Sequence, residues 1–232
     1  MGIIPWGSSN ARVFKDRHEA GAALAERLAA FAGRDDVVVL ALPRGGVPVG
    51  YEVAVALGLR LDVFTVRKLG VPGQAELAMG AIASGGVQVL NDEVLQWLRP
   101  SAGVVEAVAR AEMTELDRRE RLYRGGRPLA PIEGRTVILV DDGLATGSTM
   151  RAAVAAVRRL RAGRVVVAAP VGARDTCEAM RLVADDVVCV VSPEHFVAVG
   201  AWYLDFSETS DDDVRRLLQT WGPPSGGPAR AG

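Results

Sequence analysis

The chain has 232 residues, of which 49% are hydrophobic and 24% charged, with 27 Lys and Arg against 28 Asp and Glu. That length suits one α/β domain carrying an insertion, or two small domains, and is enough to bury a core without staples. A net charge of −1 argues against a nucleic-acid or anionic-membrane partner, and no apolar run approaches the roughly 18 residues of a membrane span.

Residues 1–10 lack the basic-then-apolar pattern of a secretory signal, so a cytoplasmic protein is expected. Residues 18–31 carry Ala and Leu at helical spacing, with Gly33 placed to end the helix. The apolar run 37–42 reads as a buried parallel strand. Pro43, Arg44, Gly45 and Gly46 interrupt it, and a helix follows over 49–57, closed by Gly58. Residues 61–66 form the next predicted strand and 67–74 a polar loop. The runs 78–83 and 87–90 flank Gly85 and Gly86 as a hairpin. A short helix is expected over 92–98 and a longer one over 104–123, whose acid–Arg pairs at i, i+4 suit a solvated face. Strands then follow at 136–140, 165–169 and 187–191, with helices at 148–161, closed by Gly163, and at 174–183. Strands alternating with helices predict a mostly parallel sheet with helices on its faces. The helical stretch 91–131 reads as an insertion. The Pro- and Gly-rich tail 221–232 reads as disordered. Cys177 and Cys189, the two cysteines, read as buried reduced thiols rather than a metal site or disulfide.

The segment 136–150 carries the most chemistry. A buried strand ends in two carboxylates, Asp141 and Asp142, and Gly143 to Thr149 lead into a helix. Ligands of open α/β sheets bind beyond the carboxyl ends of strands. Loop amides at a helix N-terminus hold anions. Thr146, Ser148 and Thr149 add hydroxyl donors, and Gly147 permits close backbone approach. Two carboxylates do not suit a phosphate, but they accept from hydroxyls. A phosphate cradle beside a diol acceptor describes a ribose 5-phosphate site. A capped helix behind two exposed acids is the bland alternative. The conjunction of strand, paired acids and hydroxyl loop outweighs it. No Lys follows the glycines, which excludes a P-loop.

Val140 to Met150 resembles the phosphoribosyl-diphosphate motif of type I phosphoribosyltransferases. Pro43-Arg44-Gly45-Gly46 is similar to that family's pyrophosphate loop. Residues 66–73 are similar to the basic segment opening its flexible loop, which would extend over 74–80. Residues 193–197 and 203–206 are similar to the segment closing the base site of purine enzymes. The resemblance spans most of 14–218. It is strongest to bacterial members of unassigned substrate, which share the Arg-Lys-Leu-Gly-x-Pro-Gly loop and the helical insertion.

The resemblance implies a phosphoribosyltransferase domain over 12–220. Its fold would be a mostly parallel central sheet with flanking helices, a helical insertion at about 91–131 and a small hood. The implied activity is transfer of a phosphoribosyl group from 5-phosphoribosyl diphosphate to a small heterocyclic base, in nucleotide salvage. Mg²⁺ would be held through substrate and water, with no protein ligand of its own. A homodimer is the candidate assembly. Asp141 and Asp142 would hold the ribose hydroxyls, and Ala145, Thr146, Gly147, Ser148 and Thr149 the 5′-phosphate. Gly45 and Gly46 would admit pyrophosphate. Arg44, Arg67 and Lys68, each read as following a strand end, would converge to stabilise it as leaving group. A cis peptide between Pro43 and Arg44 is also implied. Phe196 reads equally as a base-stacking ring or a core residue, Asp205 falls in the base-closing segment, and the 171–172 loop is a candidate base edge. Glu76 reads as a salt-bridge residue. His195 reads as exposed, His18 as uninvolved, and Trp202 and Tyr203 as hood packing. The rival class is a non-catalytic sensor of the same phosphoribosyl ligand.

Overall fold

In the computed structural model, residues 12–221 are described. Five strands build the central sheet: β1 (Val37–Ala41), β2 (Arg60–Val63), β6 (Thr136–Val140), β7 (Arg164–Val171) and β8 (Asp186–Val191). All are parallel, in the order β2-β1-β6-β7-β8. The chain runs outward from β1 to β2 and later restarts at β6 on the other side of β1. The crevice beyond the carboxyl ends of β1 and β6 is therefore the topological switch point, where such sheets bind ligands.

Both faces of β1, β6 and β7 are covered, which explains their unbroken apolar runs. Val37, Val39, Ile138, Val140 and Val166 pack against α1 (Arg17–Arg27), α2 (Gly46–Leu57) and α7 (Asp211–Thr220). Their alternates, Val38, Leu40, Val137, Leu139 and Val167, pack against α5 (Ser148–Arg159) and α6 (Arg174–Met180). Each fully buried side chain of this size stabilises by about 1.5–3 kcal/mol.

A second sheet, antiparallel, has the order β3-β4-β5: β3 (Val66–Val71), β4 (Gln74–Ala83) and β5 (Val87–Leu90). Helices α3 (Asp92–Leu98) and α4 (Ala102–Arg124) follow it. Leu69, Met79 and Ile82 pack on Leu116 of α4 as a cluster of their own. Arg124 closes the helix onto the main domain. Its side chain is 4% exposed, with Nε 3.0 Å from Asp62 Oδ1 and Nη1 2.7 Å from Glu120. It also donates to the Val63 carbonyl. Removing one partner of such a pair would leave an uncompensated buried charge.

The small hood gathers Phe14, Ala20, Ala23 and Tyr203, with Phe196, Val199 and Trp202 around them, beside Val171 at the end of β7. Trp202 and Tyr203 pack this hood, in line with their sequence reading.

Several expectations are corrected. The predicted loop 67–74 is instead strand β3 and the start of β4, paired from Val66↔Ala83 to Val71↔Gln74 with a register shift at Gly70. The predicted strand 61–66 ends at Val63. The first helix ends at Arg27, a short 3₁₀ turn covers Ala29–Phe31, and Gly33 instead donates its amide to Leu57. Helix α5 stops at Arg159, and Arg161, with φ of 62°, turns the chain before Gly163. Helix α7 was not predicted. Trp221, placed in the disordered tail, is buried in the core beside α7. Residues 222–232 lie outside the described residues, as does the side chain of Glu76. The two cysteines are free, as expected, with Cys177 buried, Cys189 half-buried and their sulfurs 2.9 Å apart. No helix among the described residues is long and apolar enough to cross a membrane.

Candidate functional site

Two loops meet at the switch point, one after β1 and one after β6. Each opens a helix whose N-cap is a glycine without a capping side chain: Gly45 before α2 and Gly147 before α5. Both helices therefore offer first-turn amides and the positive end of a dipole. The loops are pressed together. A Cβ on Gly45 would overlap the Asp142 carboxylate, and one on Gly46 would lie 2.7 Å from the Val140 carbonyl and 2.9 Å from the Asp141 Cα. Only glycine allows this approach. The Pro43–Arg44 peptide is cis.

The β6 loop encloses a pocket of about 150 Å³, lined by Asp141 and by Gly143 through Met150. That open pocket has room for a phosphate-sized group. Ala145, Thr146 and Ser148 are exposed in it, and Thr149 is half-buried. Gly147 has φ of 69°, and a Cβ there would sit 2.7 Å from Thr176 Cγ2. Helix α6 forms the floor of this loop, since Thr176 Oγ1 donates to the Ala145 carbonyl at 2.6 Å.

Asp141 and Asp142 stand side by side, both half-buried. Burial pushes the Asp141 carboxyl well above the ordinary range, and the neighbouring Asp142 charge pushes it further. Burial also raises Asp142, where Arg17 pulls the other way. Arg17 Nε lies 2.9 Å from Asp142 Oδ2, with the two side chains 11% and 16% exposed. Tyr203 Oη donates to the Asp142 carbonyl at 2.6 Å. Arg17 was missed in the sequence, because nothing local to α1 points 125 residues along the chain.

Of the three predicted cations, Arg44 alone follows the strand end assigned to it, and both Arg44 and Arg67 are paired with acids. Arg44 follows β1 as expected, but its guanidinium pairs with Glu208 and lies 4.0 Å from Asp211. Arg67 and Lys68 lie within β3 rather than after a strand end. Arg67 faces α4, with Nε 2.7 Å from Glu112, and Lys68 is exposed. Phe196 packs half-buried in the hood cluster. Asp205 is exposed, and its carboxylate accepts from the Ser207 amide at 2.9 Å. Val171 is fully buried, so its side chain lines no open edge. His195 is exposed, and His18 pairs with Glu52 of α2. No cluster of three or more His, Cys, Asp or Glu among the described residues could hold a metal ion.

The family model of the phosphoribosyl transferase domain matches residues 15–207, both switch-point loops included. The chain belongs to this family. Two Mycobacterium tuberculosis proteins named as candidate phosphoribosyl transferases, MT0597 of strain CDC 1551 / Oshkosh and Rv0571c of strain H37Rv, are each 49% identical over 207 residues. The match covers 89% of this chain and 46% of theirs. The chain thus spans about half the length of the curated relatives it matches. A crystal structure of TT1426 from Thermus thermophilus is 46% identical, with a TM-score of 0.81, over 90% of this chain and 99% of that one. The central parallel sheet with flanking helices is the type I phosphoribosyltransferase fold expected from the motifs.

Proposed function

We propose that the protein transfers a 5-phosphoribosyl group from 5-phosphoribosyl diphosphate to a nitrogen acceptor, a nucleobase, releasing pyrophosphate. One observation carries the reading: two adjacent half-buried carboxylates lie between two glycine-capped helix N-termini at the switch point of the sheet. Carboxylates accept from ribose hydroxyls, and uncapped helix ends attract phosphate.

In this reading the α5 N-terminus and the hydroxyls of Thr146, Ser148 and Thr149 seat the 5′-phosphate. Asp141 and Asp142 orient the ribose from its hydroxyls. The α2 N-terminus with Gly45 and Gly46 receives the pyrophosphate. Charge grows on that group as the bond to C1′ breaks, and Arg44, Arg67 and Lys68 are assigned to neutralise it. Arg44 must first leave Glu208 and Asp211, and Arg67 must leave Glu112. When bound, Mg²⁺ would add charge neutralisation on the pyrophosphate. With two adjacent carboxylates and no three-ligand cluster at hand, it would be held by substrate oxygens and water, as its preference for retained waters allows. No covalent nucleophile is required. Ala145 stands where an acid would serve a 6-oxopurine, and it cannot move a proton. Adenine or a similar small heterocycle is therefore the proposed acceptor, with Phe196 as the ring that stacks on it. Salvage in the cytoplasm by a homodimer completes the proposal.

The ion pairs of Arg44 and Arg67 favour a second reading, a sensor that binds the donor without turnover. Pyrophosphate release from 5-phosphoribosyl diphosphate and Mg²⁺, across adenine, guanine, hypoxanthine, uracil and orotate, separates the two. Release with adenine supports transfer. Release with none of the five, alongside tight donor binding, supports the sensor. Efficient use of guanine or hypoxanthine would refute the acceptor assignment. Arg67→Ala and Lys68→Ala should lower turnover more than donor affinity.

A further inference from the structure

The two carboxylates of the site each have one oxygen already engaged. Asp141 Oδ1 accepts from the amide of Asp142 at 2.9 Å. Asp142 Oδ2, the oxygen pressed toward Gly45, accepts from Arg17 Nε. Among the described residues no other hydrogen bond reaches either carboxylate. Asp141 Oδ2 and Asp142 Oδ1 therefore remain as two acceptor oxygens without a protein donor, on neighbouring residues.

Arg17 is itself held from several directions. It is the first residue of α1, behind the N-cap Asp16. Its Nη1 donates to the Ser207 carbonyl at 2.7 Å. Its guanidinium carbon lies 4.0 Å from the centroid of the Phe206 ring and 6.0 Å from that of Tyr203. One planar group thus bonds through two nitrogens and stacks on an aromatic face. A lysine would keep the charge but lose the fork and the stack. The groups facing the Asp142 carboxylate are Arg17 from α1, Asp141 from its own loop and Gly45 from the start of α2, while Tyr203 from the hood bonds the main-chain carbonyl of Asp142. Arg17 is the one cation among them, and it opposes the tendency of burial to protonate Asp142.

Resting on the function proposed above, the geometry points to Arg17 as the positioning residue that makes the site selective for ribosyl over 2-deoxyribosyl phosphates. By occupying Asp142 Oδ2, it leaves one acceptor oxygen per carboxylate, equal in number to the two hydroxyls of a ribose. A 2-deoxy ligand supplies one hydroxyl and leaves one half-buried acceptor unpaired. Sites built to bond a hydroxyl reject ligands lacking it by large factors. Without Arg17, the Asp142 carboxylate is free to turn and to take up a proton, and the match is lost.

Calorimetric titration of the full chain with ribose 5-phosphate and with 2-deoxyribose 5-phosphate tests this. The wild type should prefer ribose 5-phosphate by at least about tenfold. Arg17→Gln should reduce the preference to within about threefold, and Arg17→Lys should restore it in part. In an Asp142→Asn background, Arg17→Gln should change nothing further, because Arg17 acts through Asp142. A ¹³C titration of the Asp142 carboxyl should show a higher pKa in Arg17→Gln than in the wild type. An undiminished preference in Arg17→Gln, or an additive double mutant, would overturn the inference. If Arg17→Gln fails to fold, Arg17→Lys carries the comparison, and wild-type discrimination in it is the overturning result. Should the wild type bind neither sugar phosphate, the proposed function falls. Arg17 is then judged on the carboxyl titration alone, where an unshifted Asp142 refutes its hold on that group.

Discussion

Asp141→Asn should move ligand affinity and fold stability in opposite directions. The substitution keeps an oxygen for the Asp142 amide, which now bonds Asp141 Oδ1 at 2.9 Å. It replaces the remaining acceptor oxygen by an uncharged NH2 donor. A hydrogen bond to a charged group contributes about 1.5–3 kcal/mol, so ribose 5-phosphate should bind about 10- to 150-fold more weakly. Stability follows from the pKa. The folded Asp141 carboxyl is raised by burial first and by the Asp142 charge second. Between the ordinary carboxylate pKa and this raised value, the folded state holds more protons than the unfolded one. Stability therefore falls as pH rises through that window, and the penalty is complete only above the raised value. Asparagine removes it. The variant should melt at a higher temperature than wild type at pH 7, and the gap should close as pH is lowered through the carboxylate range. Calorimetric titration and thermal melts at pH 7 and pH 4 measure both effects. Unchanged affinity would refute the diol assignment. A lower melting temperature at pH 7 would refute the reading of a buried, repelled charge.

Gly45→Ala places a methyl group on the Asp142 carboxylate; ribose 5-phosphate affinity should fall at least about tenfold, with helix content by circular dichroism unchanged, and an unaffected affinity would show that the close loop contact is not needed. Glu208→Gln releases Arg44 from a largely exposed partner; binding of 5-phosphoribosyl diphosphate should tighten by up to about fivefold, the range of an exposed ion pair, whereas weaker binding would mean that Glu208 assists the ligand. Leu116→Ala opens a cavity between α4 and the second sheet, where Leu116 is 1% exposed; denaturant unfolding should show a loss of about 2–5 kcal/mol, and a loss below about 1 kcal/mol would mean that α4 is only loosely docked.

The contiguous features of the site were legible in the sequence. Asp141 through Thr149 form one loop and the start of α5, so spacing and residue type suffice to propose a ribose-phosphate cradle. Strands β1, β6 and β7 were legible because helices cover both faces, which demands unbroken apolar runs. Helix α7 was signalled and overlooked: Ser210 and Asp213 form a capping box that opens it. Residues 67–74 were a different case. Gly70, Pro72 and Gly73 imitate a loop, and what makes them strand is pairing with 74–83 and cover from α4, neither of which is local. The same holds for the charges. Arg44 finds Glu208, Arg67 finds Glu112, and Arg17 finds Asp142 only once the chain has folded. An arginine side chain records its charge in the sequence but not its partner. Local periodicity and motif chemistry thus determined the sheet and the phosphate loop. Long-range packing alone decided which cations stand free and which acceptor oxygens are left for a ligand.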